Sequence, residues 1–267
     1  MITQGYIRLC IFTAVLAFLV VVVGAYTRLS DAGLGCPDWP GCYGQLVVPG
    51  SDGEVASAEA RYPERALESH KAWKEMVHRY LAGTLGLLIL GIAVWSWRLR
   101  GREGAPLALP LFLLALVIFQ ALLGMWTVTL LLKPVVVMGH LLGGMATLSL
   151  LVWLSLRVGD RNPPRPPAGL KAPAFIGLLI LVAQIALGGW TSSNYAALAC
   201  PDFPQCQGQW WPPTDFGEAF ILWRGLGVNY EFGVLDNDAR VTIHLMHRIG
   251  ALVTFVYLAW LAVRLVR

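Results

Sequence analysis

The chain has 267 residues, 57% hydrophobic and 13% charged, with a net charge of +4 and a mean hydropathy of +0.61. That balance excludes an ordinary soluble domain. The basic residues cluster at the ends of apolar runs without interleaved aromatics, which excludes a nucleic-acid surface.

In chain order, six stretches reach the roughly 20 apolar residues that cross a bilayer. They lie near 8–27, 73–97, 107–130, 134–156, 171–191 and 239–263. Each is expected to be a helix, because lipid offers backbone amides no partner but their own carbonyls. The first is longer than an ordinary signal-peptide core, and Gly24-Ala25-Tyr26-Thr27-Arg28 is a poor cleavage site, so it reads as a retained span. The eleven tryptophans suit two interfacial belts. The expected fold class is all-α, a polytopic membrane helical bundle.

Arg8, Arg98, Arg100, Arg102, Arg157, Arg161, Arg165, Lys171, Arg264 and Arg267 all fall on one side of a six-span arrangement. The positive-inside rule then places both termini in the cytoplasm of a bacterial cell with an inner membrane, and two long loops, 28–72 and 192–238, outside. Lys71, Lys74 and Lys133 run against that count. The Pro-rich stretch Asn162-Pro163-Pro164-Arg165-Pro166-Pro167 stiffens a linker on the inner side.

The two halves repeat. Gly24-Ala25-Tyr26-Thr27-Arg28 aligns with Gly188-Gly189-Trp190-Thr191-Ser192, and Cys36-Pro37-Asp38-Trp39-Pro40-Gly41-Cys42 with Cys200-Pro201-Asp202-Phe203-Pro204-Gln205-Cys206. Gly44-Gln45 then aligns with Gly208-Gln209, and His78-Arg79 with His247-Arg248, which sets Glu75 opposite His244. The expected organisation is an N-terminal four-helix bundle over 1–160, a cytoplasmic linker over 161–170, and a partial C-terminal bundle of two helices over 171–267. A faithful duplication would add two more spans and a histidine matching His140.

Each cysteine pair, Cys36 with Cys42 and Cys200 with Cys206, lies in an outward loop where thiols oxidise. A short disulfide loop in each is the preferred reading, contributing about 2–3 kcal/mol by the chain-entropy argument. A four-thiolate zinc site is the alternative, without a histidine pattern to support it. Cys10, inside the first span, reads as a small buried hydrophobe.

Imidazole is costly in hydrocarbon unless it is paired or ligates something. His78 and His140 each lie a few residues inside the outer end of a span, so their rings share a depth. Gly139, Gly143 and Gly144 around His140 permit close approach of a planar macrocycle or another helix. Two such imidazoles can clamp a heme iron from both faces. Glu75 shares nearly the same helix face as His78 and is the candidate catalytic acid or base, against an interfacial carboxylate paired with Lys71 or Arg79. Arg79 and Arg248 are candidates for heme propionates, against simple snorkelling. His247 is a further candidate ligand. His244, three residues away on the same helix, cannot reach the opposite face of one heme, and His70 has too little context to assign.

These motifs together resemble the heme A synthase family. The resemblance covers nearly the whole chain and rests on Gly24 to Ser30, Gly35 to Cys42, Glu75 to Gly83, Gln120 to Thr127, Met138 to Gly144, Gln184 to Ser192, Cys200 to Cys206 and His244 to Gly250. It implies an eight-helix protein of two four-helix bundles, each with a pair of histidines facing a heme. By the same resemblance, heme O lies between His78 and His140 as substrate, Glu75 is the acidic residue important for turnover, and heme b is a cofactor with His247 as one ligand. The other ligand of that heme belongs to a last helix outside these 267 residues. The implied reaction oxidises the ring D methyl group of heme O to a formyl group, giving heme A for cytochrome c oxidase.

No flavin or nicotinamide fingerprint is present, so a membrane electron donor is the expected partner. Heme O synthase, cytochrome c oxidase assembly factors and a second copy of the chain are the other candidate partners. Two rivals stand beside this reading. A membrane b-type electron-transfer cytochrome shares the histidines but gives Glu75 no role. A transporter or structural subunit would need a polar cavity through broken helices, and few central charges are present to line one.

Overall fold

The computed structural model describes residues 3–102, 104–159 and 169–266. It is helical throughout: α1 Gln4–Leu29, α2 Asp52–Arg61, α3 Ser69–Arg98, α4 Ala108–Thr129, α5 Pro134–Gly159, α6 Lys171–Ser193, α7 Phe216–Ala219 and α8 Asn237–Val266. Six of these, all but α2 and α7, are long and apolar enough to cross a membrane. The all-α membrane class read from hydropathy is therefore borne out, with most helices running a few residues beyond the apolar cores that predicted them. The proline-rich stretch, and with it most of the 161–170 linker together with Arg161, Arg165 and Arg267, lies outside the described residues.

The chain forms two compact units, the described residues of Met1–Thr129 with Gly143–Pro163, and those of Leu130–Leu142 with Pro164–Arg267. Helix α5 thus contributes its first turns to the second unit and the remainder to the first.

In the first unit, α1 buries Tyr6, Cys10, Ala14, Ala17 and Val20, a stripe at helical spacing. They pack on Leu85, Ile89 and Ile92 of α3, Leu113 of α4, and Leu151 and Leu154 of α5. The Tyr6 hydroxyl meets the Ser96 hydroxyl at 2.7 Å, which satisfies both polar groups inside the apolar interior. Cys10 is buried and unbridged, as a small hydrophobe would be. The opposite face of α1 exposes Ile11, Phe12, Val15 and Phe18. Such a continuous apolar face would be an aggregation hazard in water and is the ordinary lining toward lipid.

Above α1 and α3 the first long loop folds into its own small core of Cys36, Cys42, Tyr43, Val48, Ala58, Ala72 and Met76. The loop carries α2, started by a capping box in which Ser51 and Glu54 satisfy each other's backbone N–H. Hydropathy alone does not register so short and polar a helix.

In the second unit, Trp190, Ala196, Ala219, Leu235, Ala239 and Ile243 form the core. The Trp190 indole donates to the Ala219 carbonyl at 2.9 Å, tying α6 to the short α7. Lys133 is nearly fully buried, donates to the Gly225 carbonyl and lies 3.4 Å from the Trp223 ring centroid. The lysines that opposed the charge count are thus engaged locally. Lys71 pairs with Glu68 at 2.9 Å, and Lys74 lies over the Tyr26 ring at 5.2 Å.

Candidate functional site

In the first unit the cysteine loop is closed by the Cys36–Cys42 disulfide and contains a cis peptide before Pro40. Asp38 organises its turn, its two carboxylate oxygens accepting from the Tyr43 N–H at 2.7 Å and the Gly44 N–H at 2.8 Å. Tyr43 and Gly44 have left-handed φ values of 54° and 76°, and glycine adopts that region without steric cost. Helix α3 grips the loop from below. Arg79 donates to the carbonyls of Asp38 at 2.9 Å, Pro40 at 3.2 Å, and Gly41. It also pairs with Glu75, one turn earlier on the same helix face.

Glu75 is 5% exposed. One carboxylate oxygen accepts the Cys36 N–H at 2.9 Å and the other takes the Arg79 guanidinium. Of the alternatives for Glu75, the carboxylate is paired with Arg79 and not with Lys71, and it is buried beneath the disulfide loop rather than lying at a wet interface. Three residues further along α3, the His78 ring packs against α1 with Cε1 toward Gly24. A Cβ built on Gly24 would sit 2.7 Å from His78 Cε1, so only glycine leaves room for the imidazole there.

The second unit repeats the plan. Cys200 and Cys206 are bridged, Phe203-Pro204 is cis, and Asp202 accepts from the Gln207 N–H at 2.6 Å and the Gly208 N–H at 2.8 Å. Gly208 N–H, followed by Gln207 N–H, holds the Asp202 carboxyl below the usual carboxylate range. Arg248 donates to the Gln205 and Cys200 carbonyls, each at 2.8 Å, just as Arg79 holds the first loop. His244 stands where Glu75 stands. Its ring lies between Arg248 and Cys200, with Nε2 3.1 Å from Arg248 Nε and Nδ1 3.4 Å from the Cys200 nitrogen, and one of these ring nitrogens accepts. With both pairs bridged, the four-thiolate zinc alternative is excluded.

His247 packs on α6 as His78 packs on α1, with a Gly188 Cβ falling 3.2 Å from His247 Cε1. The Gln184 amide nitrogen lies 3.0 Å from His247 Nδ1. Gln184 had no role in the sequence reading. The signal was present, since Gln120-x3-Gly124-x-Trp126-Thr127 recurs as Gln184-x3-Gly188-x-Trp190-Thr191.

The structure thus brings Glu75 and Arg79 together with the first cysteine loop, and His244 and Arg248 with the second. His140 stands on α5 in the part that belongs to the second unit, whereas His78 belongs to the first. His70 is exposed in the first turn of α3. Among the described residues, no group of three or more His, Cys, Asp or Glu side chains converges as a metal site would.

Residues 7–267 match the COX15-CtaA family, described as cytochrome oxidase assembly protein. The chain belongs to this family. Among its relatives, the heme A synthase of Shewanella oneidensis is 52% identical over 256 residues, covering 95% of this chain and 77% of that protein. The heme A synthase of Beijerinckia indica is 32% identical over 260 residues, 89% of this chain and 69% of its own length. That of Shouchella clausii is 30% identical over 223 residues, 81% and 68% of the two chains. The resemblance drawn from the motifs is borne out, and the paired loop, arginine and glycine–histidine contacts are what this COX15-CtaA member builds from them.

Proposed function

We propose that the protein is a heme A synthase of a bacterial inner membrane, oxidising the ring D methyl group of heme O to a formyl group. The observation that carries this is Glu75, buried under the disulfide loop and one helical turn from His78, in a chain 52% identical to a heme A synthase.

Two features support a flat iron-bearing macrocycle as the ligand. Gly24 and Gly188 each remove the one methyl group that would displace a histidine ring. Gln120 is 8% exposed, and both of its amide atoms are buried without a hydrogen-bond partner, a state that costs about 1–3 kcal/mol per group unless a ligand relieves it. Two imidazoles supply too few ligands for an iron by themselves, and a porphyrin supplies the rest. His78 and His140 are the proposed ligands of heme O, and His247 one ligand of a heme b cofactor. Iron then supplies the redox chemistry, while the chain supplies placement and an apolar cage.

Two successive hydroxylations, each consuming one O2, two electrons and two protons and releasing one water, convert the methyl carbon to its hydrate, and loss of water leaves the formyl group. Glu75 is the group placed to hold or move a proton during these steps, its carboxylate oriented by the Cys36 N–H and the Arg79 guanidinium. Arg79 and Arg248, each beside its histidine, lend positive charge for propionates while holding their loops. The electrons for these steps come from a membrane donor. Heme O synthase, cytochrome c oxidase assembly factors and a second copy of the chain are the proposed partners. Both termini face the cytoplasm, by the distribution of arginines.

The test is a product assay in membranes supplied with heme O and reductant, read by the shifted absorption of a formyl heme. Glu75→Gln is expected to bind heme O and form little heme A. Turnover at the wild-type rate in that variant removes Glu75 from the reaction.

A further inference from the structure

The Gln184 amide has an orientation that can be read from chemistry. Its nitrogen lies 3.1 Å from the His247 carbonyl, which can only accept, so the atom there is the NH2 group. The same nitrogen is 3.0 Å from His247 Nδ1. Two hydrogens on one amide thus bind the backbone and the ring of one residue. Nδ1 is taken up by α6, and Nε2 is the ring nitrogen left for a ligand.

The space for this arrangement comes from two glycines. Gly188, one turn after Gln184 on α6, admits the imidazole. Gly250, three residues after His247 on α8, admits the Gln184 side chain, whose oxygen is the nearest atom to a Cβ built there. A similar contact occurs between α4 and α5, where Gln120 lies against Gly143, three residues after His140. A glutamine meeting the glycine one turn past a histidine thus occurs twice in the chain.

The other Gln184 amide atom, Oε1, is buried with no hydrogen-bond partner. A buried acceptor left unpaired is costly, and its retention points to a partner that arrives with the ligand. When a metal occupies Nε2 of a neutral imidazole, the ring proton resides on Nδ1 and seeks an acceptor. Gln184 Oε1 is that acceptor, reached by a tilt of the side chain that brings the oxygen to Nδ1 while the NH2 group keeps the His247 carbonyl.

We infer that Gln184 is the positioning residue of His247, directing Nε2 toward a heme iron and accepting the Nδ1 proton once the iron is bound. The inference rests on the proposed heme reading of His247.

The full chain, carrying His78→Ala and His140→Ala so that only the His247 heme is read, is purified in detergent and titrated with hemin. Affinity, the electron paramagnetic resonance signature of the ferric heme and the midpoint potential are recorded. Gln184→Leu is expected to weaken hemin binding about 10–100-fold, the range seen when partners of metal-bound histidines are removed, and to shift that signature and raise the potential. Gln184→Glu, a stronger acceptor, is expected to restore affinity and lower the potential below that of the glutamine protein, and it carries the test if the leucine variant does not fold. Wild-type affinity and potential in Gln184→Leu, or a glutamate variant that behaves as leucine does, overturns the assignment. His247→Ala separates the two readings. If it leaves hemin binding unchanged, the heme reading of His247 fails and the Gln184 role with it. If it abolishes binding while Gln184→Leu and Gln184→Glu change nothing, only the Gln184 role fails.

Discussion

A single methyl group distinguishes the two glycine–histidine contacts. On Gly24 it would stand 2.7 Å from His78 Cε1, closer than such atoms approach, whereas on Gly188 it would stand 3.2 Å from His247 Cε1. Gly24→Ala is expected to displace the His78 ring and lower heme O affinity about 10–100-fold, because even a small misplacement of a ligand or reacting group is expensive. Gly188→Ala is expected to have the milder effect on the heme proposed at His247. Hemin and heme O titrations of the two variants check the order. Arg79 is a residue of the other kind, whose removal leaves a charge behind. Arg79→Ala strands the buried Glu75 carboxylate and three loop carbonyls, and is expected to destabilise the protein by about 3–5 kcal/mol, read as a lowered unfolding midpoint in detergent.

At the scale of the element, the unit of construction is a disulfide loop held from below by an arginine on the following helix. Its turn is set by an aspartate that accepts two successive N–H groups, Asp38 in one copy and Asp202 in the other. The Asp202 acid is held below its ordinary value in the folded chain, so its contribution is present above the unfolded value of about 3.9 and is lost as pH falls through the lower folded value. The protection factors of the Gln207 and Gly208 amides are therefore expected to hold from neutral pH down to about pH 4 and to fall below it. Asp202→Asn is expected to abolish that acid limb. Opening the first loop by Cys36→Ser with Cys42→Ser removes about 2–3 kcal/mol of chain-entropy stabilisation. It also loosens the Cys36 N–H that orients Glu75, so turnover is expected to fall further than the unfolding midpoint alone accounts for.

For the whole molecule, six apolar helices and a one-sided arginine distribution predict a definite insertion. A cysteine introduced at Gly101 is expected to be labelled from the cytoplasmic side only, and one at Ser57 from the outer side only. Labelling of both from one side would refute the placement of the termini. The chain falls into two units that share one construction, yet the first carries Glu75 where the second carries His244. That one exchange separates a buried carboxylate paired with Arg79 from an imidazole beside Arg248.

Much of this was legible in the residues themselves. Apolar runs declared the six spans, because a helix is the only solution the bilayer accepts for a chain without strand pairing. The offset between Cys36 and Cys200 exposed the repeat, and the repeat paired His78 with His247. Tertiary structure decided the partners. The positions of Arg79 and Arg248 were visible, yet their grip on the loop carbonyls depends on how the loop turns back over its helix, which involves residues about 40 positions away. Glu75 beneath the disulfide, Gly24 against an imidazole and Gln184 spanning one histidine's ring and backbone are likewise long-range contacts. Hydropathy records where a segment resides, being a sum over neighbours in sequence, whereas hydrogen bonds and close approaches are set by neighbours in space.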